Sequence, residues 1–85
     1  MVTTKETIGS SYVQLTDGTQ AYALSVHAKA TGSVRITLND GTPADDTADY
    51  FTLKNNEGIS HLTHDGKVWA KSHKPSDDIV IILNK

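Results

Sequence analysis

The sequence contains no cysteine, so disulfide bonds and metal sites built on thiolates are excluded. Its 85 residues are enough for one domain, near the small end of what folds alone. Domains of this size generally rely on disulfides, metals or partner subunits for part of their stability. We therefore expect a well-packed core, a histidine or carboxylate metal site, or oligomerisation.

Basic residues are scarce and scattered. The formal net charge is -2 and the only arginine is Arg35. Binding to a phosphate backbone requires clustered lysine and arginine, which this sequence does not show. We therefore expect no nucleic-acid partner.

Long apolar runs are also missing. The longest, Ile79–Leu83, is far shorter than the roughly 20 residues that a membrane-spanning helix needs. The first residues show no apolar stretch typical of a signal peptide. The expectation is a soluble protein without a membrane partner, made in the cytoplasm.

The sequence is rich in short alternating runs of β-branched and aromatic residues. In one run Val34, Ile36 and Leu38 share a face, while Arg35 and Thr37 lie on the other, which is the period of a half-buried strand. Tight-turn signals separate the runs: Asp17-Gly18, Thr31-Gly32, Asp40-Gly41, Asn55-Asn56-Glu57-Gly58, Asp65-Gly66 and Pro75-Ser76-Asp77-Asp78.

This pattern predicts an all-β domain, a small antiparallel β-sandwich or barrel of about seven strands. Residues 1–10 are predicted to be a flexible arm, or a strand that orders against something else, and residues 11–85 the domain. Gly41–Asp49 is the one long loop. The predicted strands are Ser11–Thr16, Gln20–Ala28, Val34–Asn39, Tyr50–Lys54, Ile59–Thr63, Lys67–His73 and Ile79–Asn84.

The last predicted strand is apolar on both faces over Ile79–Leu83. In a two-layer sandwich of this size one face of each strand should be wet. The second face of this strand is therefore covered by loops or the N-terminal arm, covered by another subunit, or exposed as an aggregation hazard. Small size and missing disulfides favour the subunit.

Two groups of possible metal ligands occur. His61 and His64 lie three residues apart, which on a strand places them on opposite faces, and His73 is the third candidate. Asp40, just before the long loop, and Asp45, Asp46 and Asp49 within it make this region acidic, but the spacing of an EF-hand is absent. We predict hydrogen-bonding histidines and a solvated acidic loop, with no metal and no cofactor.

Catalytic patterns are equally weak. The sequence shows no Gly-x-Ser-x-Gly elbow, no glycine-rich phosphate loop and no nucleophile paired with a base at a telling spacing. We expect a protein that is not an enzyme and has no catalytic residues.

Trp69 is the single tryptophan, and it lies mid-strand between Val68 and Ala70. Lys67 and Lys71 share its face. Sugar-binding modules stack sugars on exposed aromatic rings, and no aromatic row is present here. The alternatives are a core tryptophan covered by lysine stems and an aromatic anchor at an interface.

The second half of the chain carries a resemblance. Its parts are Tyr50-Phe51-Thr52-Leu53-Lys54, the Gly58-Ile59 turn, Gly66-Lys67-Val68-Trp69-Ala70-Lys71-Ser72 and the closing strand. This layout, over roughly residues 20–84, resembles small β-sandwich proteins of tailed bacteriophage virions. The resemblance implies a structural role in which such proteins decorate or cement the capsid, often as trimers, or form collars and fibre attachments. It implies no binding residue.

On this basis the expected function is a capsid decoration or cement protein that stabilises a phage shell by adhesive contacts. The expected location is the virion. The expected partners are further copies of the chain, most simply in a trimer, and the major capsid protein or another virion protein. The alternative is a carbohydrate-binding or adhesion module of a tail, collar or fibre.

The expected contacts follow from the arm, the loop and the last strand. The predicted subunit interface consists of Trp69, Ile79, Val80, Ile81, Ile82 and Leu83. The predicted shell contacts are Val2, Thr3, Ile8, Asp45 and Asp46.

Overall fold

The computed structural model describes residues 2–19, 21–28, 32–61, 66–74 and 79–85, and all regular structure in these ranges is β. The all-β, antiparallel sandwich predicted from the sequence is confirmed. The predicted turns at 75–78 and at Asp65, and the residues 20, 29–31 and 62–64, lie outside the described residues. The strands are β1 Thr3–Ile8, β2 Val13–Gln14, β3 Tyr22–Ala28, β4 Ser33–Leu38, β5 Phe51–Lys54, β6 Gly58–His61, β7 Val68–Ser72 and β8 Ile79–Asn84.

The strands form two sheets of four. Sheet I has the order β1-β8-β3-β6, and sheet II has the order β2-β7-β4-β5. All neighbours are antiparallel, and the pairs β1·β8, β2·β7, β3·β6 and β4·β5 nest inside one another along the chain. The chain is therefore one long hairpin, with β4 and β5 at its closed end, wrapped so that alternate pairs enter opposite sheets. This is the topology of an eight-stranded jelly roll.

The core lies between the two sheets and is built by alternate residues of each strand. Since side chains of a strand alternate between faces, the central strands β3, β4, β7 and β8 give every second residue to the core, while the outer strands give one or none. Burying an aliphatic side chain of this kind stabilises the fold by about 1.5–3 kcal/mol. The core cluster consists of Ile8, Leu15, Tyr22, Leu24, Val26, Val34, Ile36, Leu53, Val68, Ala70, Ile79, Ile81 and Leu83.

The sequence left two alternatives for residues 1–10, and residues 3–8 form the strand that orders against another segment, here β8, rather than the flexible arm. β1 pairs with β8 in register from Thr3 opposite Asn84 to Ile8 opposite Ile79. The backbones of Val2 and Lys85 exchange two further hydrogen bonds, of 2.8 and 3.2 Å. β1 lies at the edge of its sheet, so its side chains are mostly exposed and polar, and the sequence shows no apolar alternation there.

The turns use residues that tolerate unusual backbone angles. Gly18 has a φ of 92° in the turn before β3, where the Asp17 carboxylate accepts hydrogen bonds from the Thr19 backbone N–H and hydroxyl. These two bonds lower the pKa of Asp17. Between β5 and β6, Asn56 has a φ of 69°, and the Glu57 N–H donates to the Lys54 carbonyl at 3.0 Å. Asparagine tolerates this left-handed conformation better than most residues.

Candidate functional site

The long loop, residues 39–50, lies over the outer face of sheet II, and we call it the covering loop. Three side chains of this face bond to its backbone. The Trp69 indole N–H donates to the Asn39 carbonyl at 2.9 Å, and the Thr37 hydroxyl donates to the Asp49 carbonyl at 2.6 Å. The Lys71 ammonium donates to the Asp45 carbonyl at 2.7 Å. The sheet is thus covered by the chain itself on this side.

Trp69 belongs to this outer face and not to the core. Its neighbours Val68 and Ala70 point inward to the core, and Trp69 lies opposite Thr37 and Gln14 in the adjacent strands. The side chain is nevertheless only 7% exposed, because the covering loop lies over it. The predicted subunit contact at Trp69 is therefore occupied by the chain's own loop.

The last strand divides its apolar residues between the two sides of sheet I. Ile79, Ile81 and Leu83 are fully buried in the core, so they are closed to a partner. Val80 and Ile82 lie on the outer face and are half-buried. β8 is a central strand with β1 and β3 on either side, so its outer-face residues are flanked by the side chains of both neighbours. The outer-face neighbours are Thr7 and His27 beside Val80, and Lys5 and Ser25 beside Ile82.

The predicted shell contacts do not form one surface. Val2 and Thr3 are exposed at the edge of sheet I, whereas Asp45 and Asp46 are exposed on the covering loop over sheet II. Ile8 is buried in the core. Partners that touched all five residues would have to reach both layers of the sandwich.

The most organised polar group on the surface surrounds the single arginine. The Arg35 cluster consists of Tyr12, Arg35, Tyr50, Lys71 and His73. The guanidinium carbon of Arg35 lies 4.4 Å from the centre of the Tyr50 ring, and its Nε–H donates to His73 Nδ1 at 3.2 Å. Lys71, opposite Arg35 in β7, holds its ammonium 5.6 Å from the centre of the Tyr12 ring. Two cations therefore lie side by side, each over an aromatic ring.

Tyr12 is the most buried member of the cluster, at 8% exposed. Its hydroxyl is buried and has no hydrogen-bond partner among the described residues. Burial raises the pKa of Tyr12, and the positive charge of Arg35 partly opposes this effect. The phenol and the guanidinium are thus close enough to interact, and a donor that is buried without an acceptor is costly.

The sequence did not indicate this cluster. Its members come from segments before β2, in β4, before β5 and in and after β7, and only the pairing of distant strands brings them together. His73 was a candidate metal ligand for which the sequence favoured a hydrogen-bonding role, and its Nδ1 accepts a hydrogen bond from Arg35. The period-two pattern of β4 placed Arg35 on the outer face, which was the one available signal.

The candidate metal ligands do not converge in the described part of the chain. No group of three or more His, Asp or Glu residues there could hold an ion. The aspartates of the covering loop are all exposed, while His64 and the His61 side chain lie outside what the structure describes.

A shallow polar pocket of about 240 Å³ lies between the end of β4 and the covering loop. Leu38, 48% exposed, forms one wall, and Pro43 and Thr47 line the loop side. A wider concavity continues past Leu38 to Asp40 and Gly66. The pocket brings no titratable pair together, since its one carboxylate is that of Asp49.

No protein family, no curated protein and no solved structure matches the chain. Within the described residues, no helix has the length and apolar character to cross a membrane.

Proposed function

We propose that the protein is a structural virion protein of the capsid decoration or cement type, which stabilises a shell by adhesive contacts. Eight-stranded jelly rolls are used in viral capsid domains and also in lectin domains. A fold by itself does not define a function, so the proposal also depends on the surfaces of this sandwich and on the resemblance of its second half to phage virion proteins.

The observation that carries the proposal is the outer face of sheet I. Val80 and Ile82 are half-buried along its central strand. Polar and charged side chains of β1 and β3 flank them on both sides. An apolar centre with a polar rim is the ordinary anatomy of a protein interface. A flat face of this kind suits adhesion to another protein surface better than it suits the enclosure of a small substrate.

The trimer remains part of the proposal, with a changed interface. Because Ile79, Ile81 and Leu83 lie in the core, a subunit contact along β8 has only Val80 and Ile82 to offer. Two half-buried aliphatic side chains make a modest contact, so shell and subunit contacts together would hold the protein in place.

The proposal is tested by asking whether the chain co-sediments with virus particles. Lysate from the cells that produce it is separated on a density gradient, and each fraction is probed with an antibody against the chain. The proposal predicts a peak with DNA-filled particles that persists after a second gradient. A chain found only with free protein at the top of the gradient would contradict the proposal.

A carbohydrate-binding or adhesion module is the second candidate, favoured by the use of jelly rolls in lectins. The burial of Trp69 under the covering loop removes the best stacking platform from the surface. This candidate predicts a saturable change in backbone amide shifts on addition of oligosaccharides from the host surface. The structural proposal predicts no saturable change with the same sugars.

A further inference from the structure

The guanidinium of Arg35 is held in a fixed orientation without a negative partner in the described chain. Its contacts there are the Tyr50 ring and His73 Nδ1, and neither carries a negative charge. The contact with the Tyr50 ring and the Nε–H bond hold the guanidinium at two points. Among the described residues no hydrogen bond uses the four N–H donors of its two terminal nitrogens, which have the fork geometry that matches a carboxylate.

Two further observations point to an anion. Lys71 lies opposite Arg35, and its ammonium donates a hydrogen bond to a backbone carbonyl. Because a carbonyl is neutral, this bond does not neutralise the positive charge of Lys71. The buried Tyr12 hydroxyl is a donor without an acceptor among the described residues, in the electric field of Arg35. Two cations and an unused O–H donor on one face favour an oxyanion as the ligand.

The aromatic rings around the cluster favour a protein ligand over a sugar. Arg35 lies over the Tyr50 ring and Lys71 near the Tyr12 ring. The covering loop lies over Trp69. Sugars are bound by stacking on free rings, whereas arginine and tyrosine held in this way are the residues enriched at the anchor points of protein interfaces.

We propose that the Arg35 cluster is the docking site for one carboxylate side chain, Asp or Glu, of a protein partner. The carboxylate accepts two parallel N–H bonds from the terminal nitrogens of Arg35. Lys71 adds its charge, and the Tyr12 hydroxyl donates once the ligand displaces the surrounding side chains. The inference goes beyond the proposed virion role and does not depend on it, since the ligand chemistry is tested without a capsid.

The experiment uses the unique arginine signal of the full chain. The Arg35 Nε–H resonance is followed by NMR while the α-amide of N-acetyl-glutamic acid is added, with sodium chloride adjusted to keep the ionic strength constant. A saturable shift that chloride does not reproduce is the expected result. A shift that is linear in concentration, or that chloride reproduces, would overturn the proposal.

Variants identify the site. We expect Tyr12→Phe and Lys71→Gln each to weaken binding of the glutamate probe by about fivefold, the size of one modest hydrogen bond or ion pair. The matched control is Lys5→Gln, because Lys5 is an exposed lysine on the opposite sheet. If Lys5→Gln and Lys71→Gln weakened binding of the glutamate probe equally, net charge alone would explain the binding and the proposal would be overturned. Backbone amide spectra confirm that each variant is folded.

Two additional arms separate the proposed ligand from its competitors. N-acetylneuraminic acid presents a carboxylate on a sugar, and binding at least tenfold tighter than the glutamate probe would overturn the protein ligand in favour of an acidic sugar. Among the described residues, Asp45 is an acidic candidate from the chain itself, since its charge acts on Tyr12. If saturable binding appeared only in Asp45→Asn, the covering loop would fill the site and the proposal would be wrong.

Discussion

Gly58 is a position at which sheet I leaves no room for a side chain. A Cβ atom there would lie 2.4 Å from the Leu24 carbonyl oxygen and 3.3 Å from Ser25 Cα, and both atoms belong to the backbone of β3. A backbone in the centre of a sheet cannot move aside as the tip of a flexible side chain can. The strand pair β3·β6 therefore requires glycine at this register position.

We expect Gly58→Ala to lower the free energy of unfolding by about 1–3 kcal/mol, the usual cost of overpacking. The matched control is Gly41→Ala, where a Cβ would meet no atom within 4 Å. Urea unfolding of both variants and the parent chain measures the difference. Equal midpoints for the two variants would show that β6 is not as close to β3 as the structure has it.

Two buried tyrosines make stability depend on alkaline pH. Burial raises the pKa values of Tyr12 and Tyr22. Because the folded state holds these protons more tightly than the unfolded state, whose tyrosines titrate near 10, their contribution is complete below about pH 10 and is lost as pH rises further. We expect the free energy of unfolding to fall above pH 10, and to fall less steeply in Tyr22→Phe. The same slope in the variant and the parent, measured by urea unfolding at each pH, would contradict this assignment.

The burial of single residues was predictable where the alternation of apolar and polar residues along a strand decides which side chains face the core. The period of two correctly placed Val34 and Ile36 in the core. It also predicted an inward Leu38, which is 48% exposed because it lies at the end of its strand beside the covering loop. For Trp69 the sequence offered two alternatives, a position in the core and a position at an interface. Neither alternative describes an indole ring that is covered by a loop of the same chain. That contact depends on the path of a long loop, for which the residue pattern carries no signal.

At the scale of elements, β1 is the strand for which the flexible arm predicted from the sequence and the observed structure have the most different consequences. A flexible arm could be removed without loss, whereas β1 places Ile8 in the core and pairs along all six of its residues with β8. We expect deletion of residues 2–8 to lower the free energy of unfolding by more than the roughly 2–5 kcal/mol typical of an Ile-to-Ala change in a core.

Ile8→Ala and Val2→Ala serve as the comparison variants for that deletion. Val2 is 65% exposed, and we expect its truncation to have little effect. Thermal and urea unfolding compare the three proteins with the parent. A deletion variant as stable as Val2→Ala would mean that β1 contributes nothing and that the arm prediction was right.

The covering loop makes a second prediction about an element. With Trp69 only 7% exposed, acrylamide should quench its fluorescence weakly. Replacement of residues 39–48 by an Asn-Gly turn, which joins β4 and β5 in their observed register, should raise the quenching constant several-fold while the core stays folded. Strong quenching in the parent chain, or no change in the shortened one, would place the loop elsewhere.

Strand positions follow from local signals, while sheet order does not. Apolar alternation and turn residues mark the observed strands β2 to β8, and the sequence predicts each of them, whereas it offers β1 only as an alternative to a flexible arm. β1 carries the polar side chains of an edge strand and is ordered by its pairing with β8, at the far end of the chain. The order β1-β8-β3-β6 depends on such long-range pairings, which no short segment encodes.

For the whole molecule, the sandwich completes its own core and covers one of its own faces. The other sheet surface of the sandwich is the outer face of sheet I, with the half-buried Val80 and Ile82 on its central strand. The Arg35 cluster offers a second, charged contact point on the opposite sheet. A small protein with contact regions on both layers can bridge neighbours on a larger assembly, which is the role that we propose.

The most direct test of this role is a binding isotherm of the purified chain on emptied particles that lack it, measured by sedimentation. The account predicts that bound chain rises to a plateau at a fixed number of copies per particle. It also predicts that the loaded particles release their contents at a higher temperature than bare ones. Binding that rises without a plateau, or sedimentation no greater than that of an unrelated protein of similar size and charge mixed with the same particles, would contradict an adhesive function on the shell.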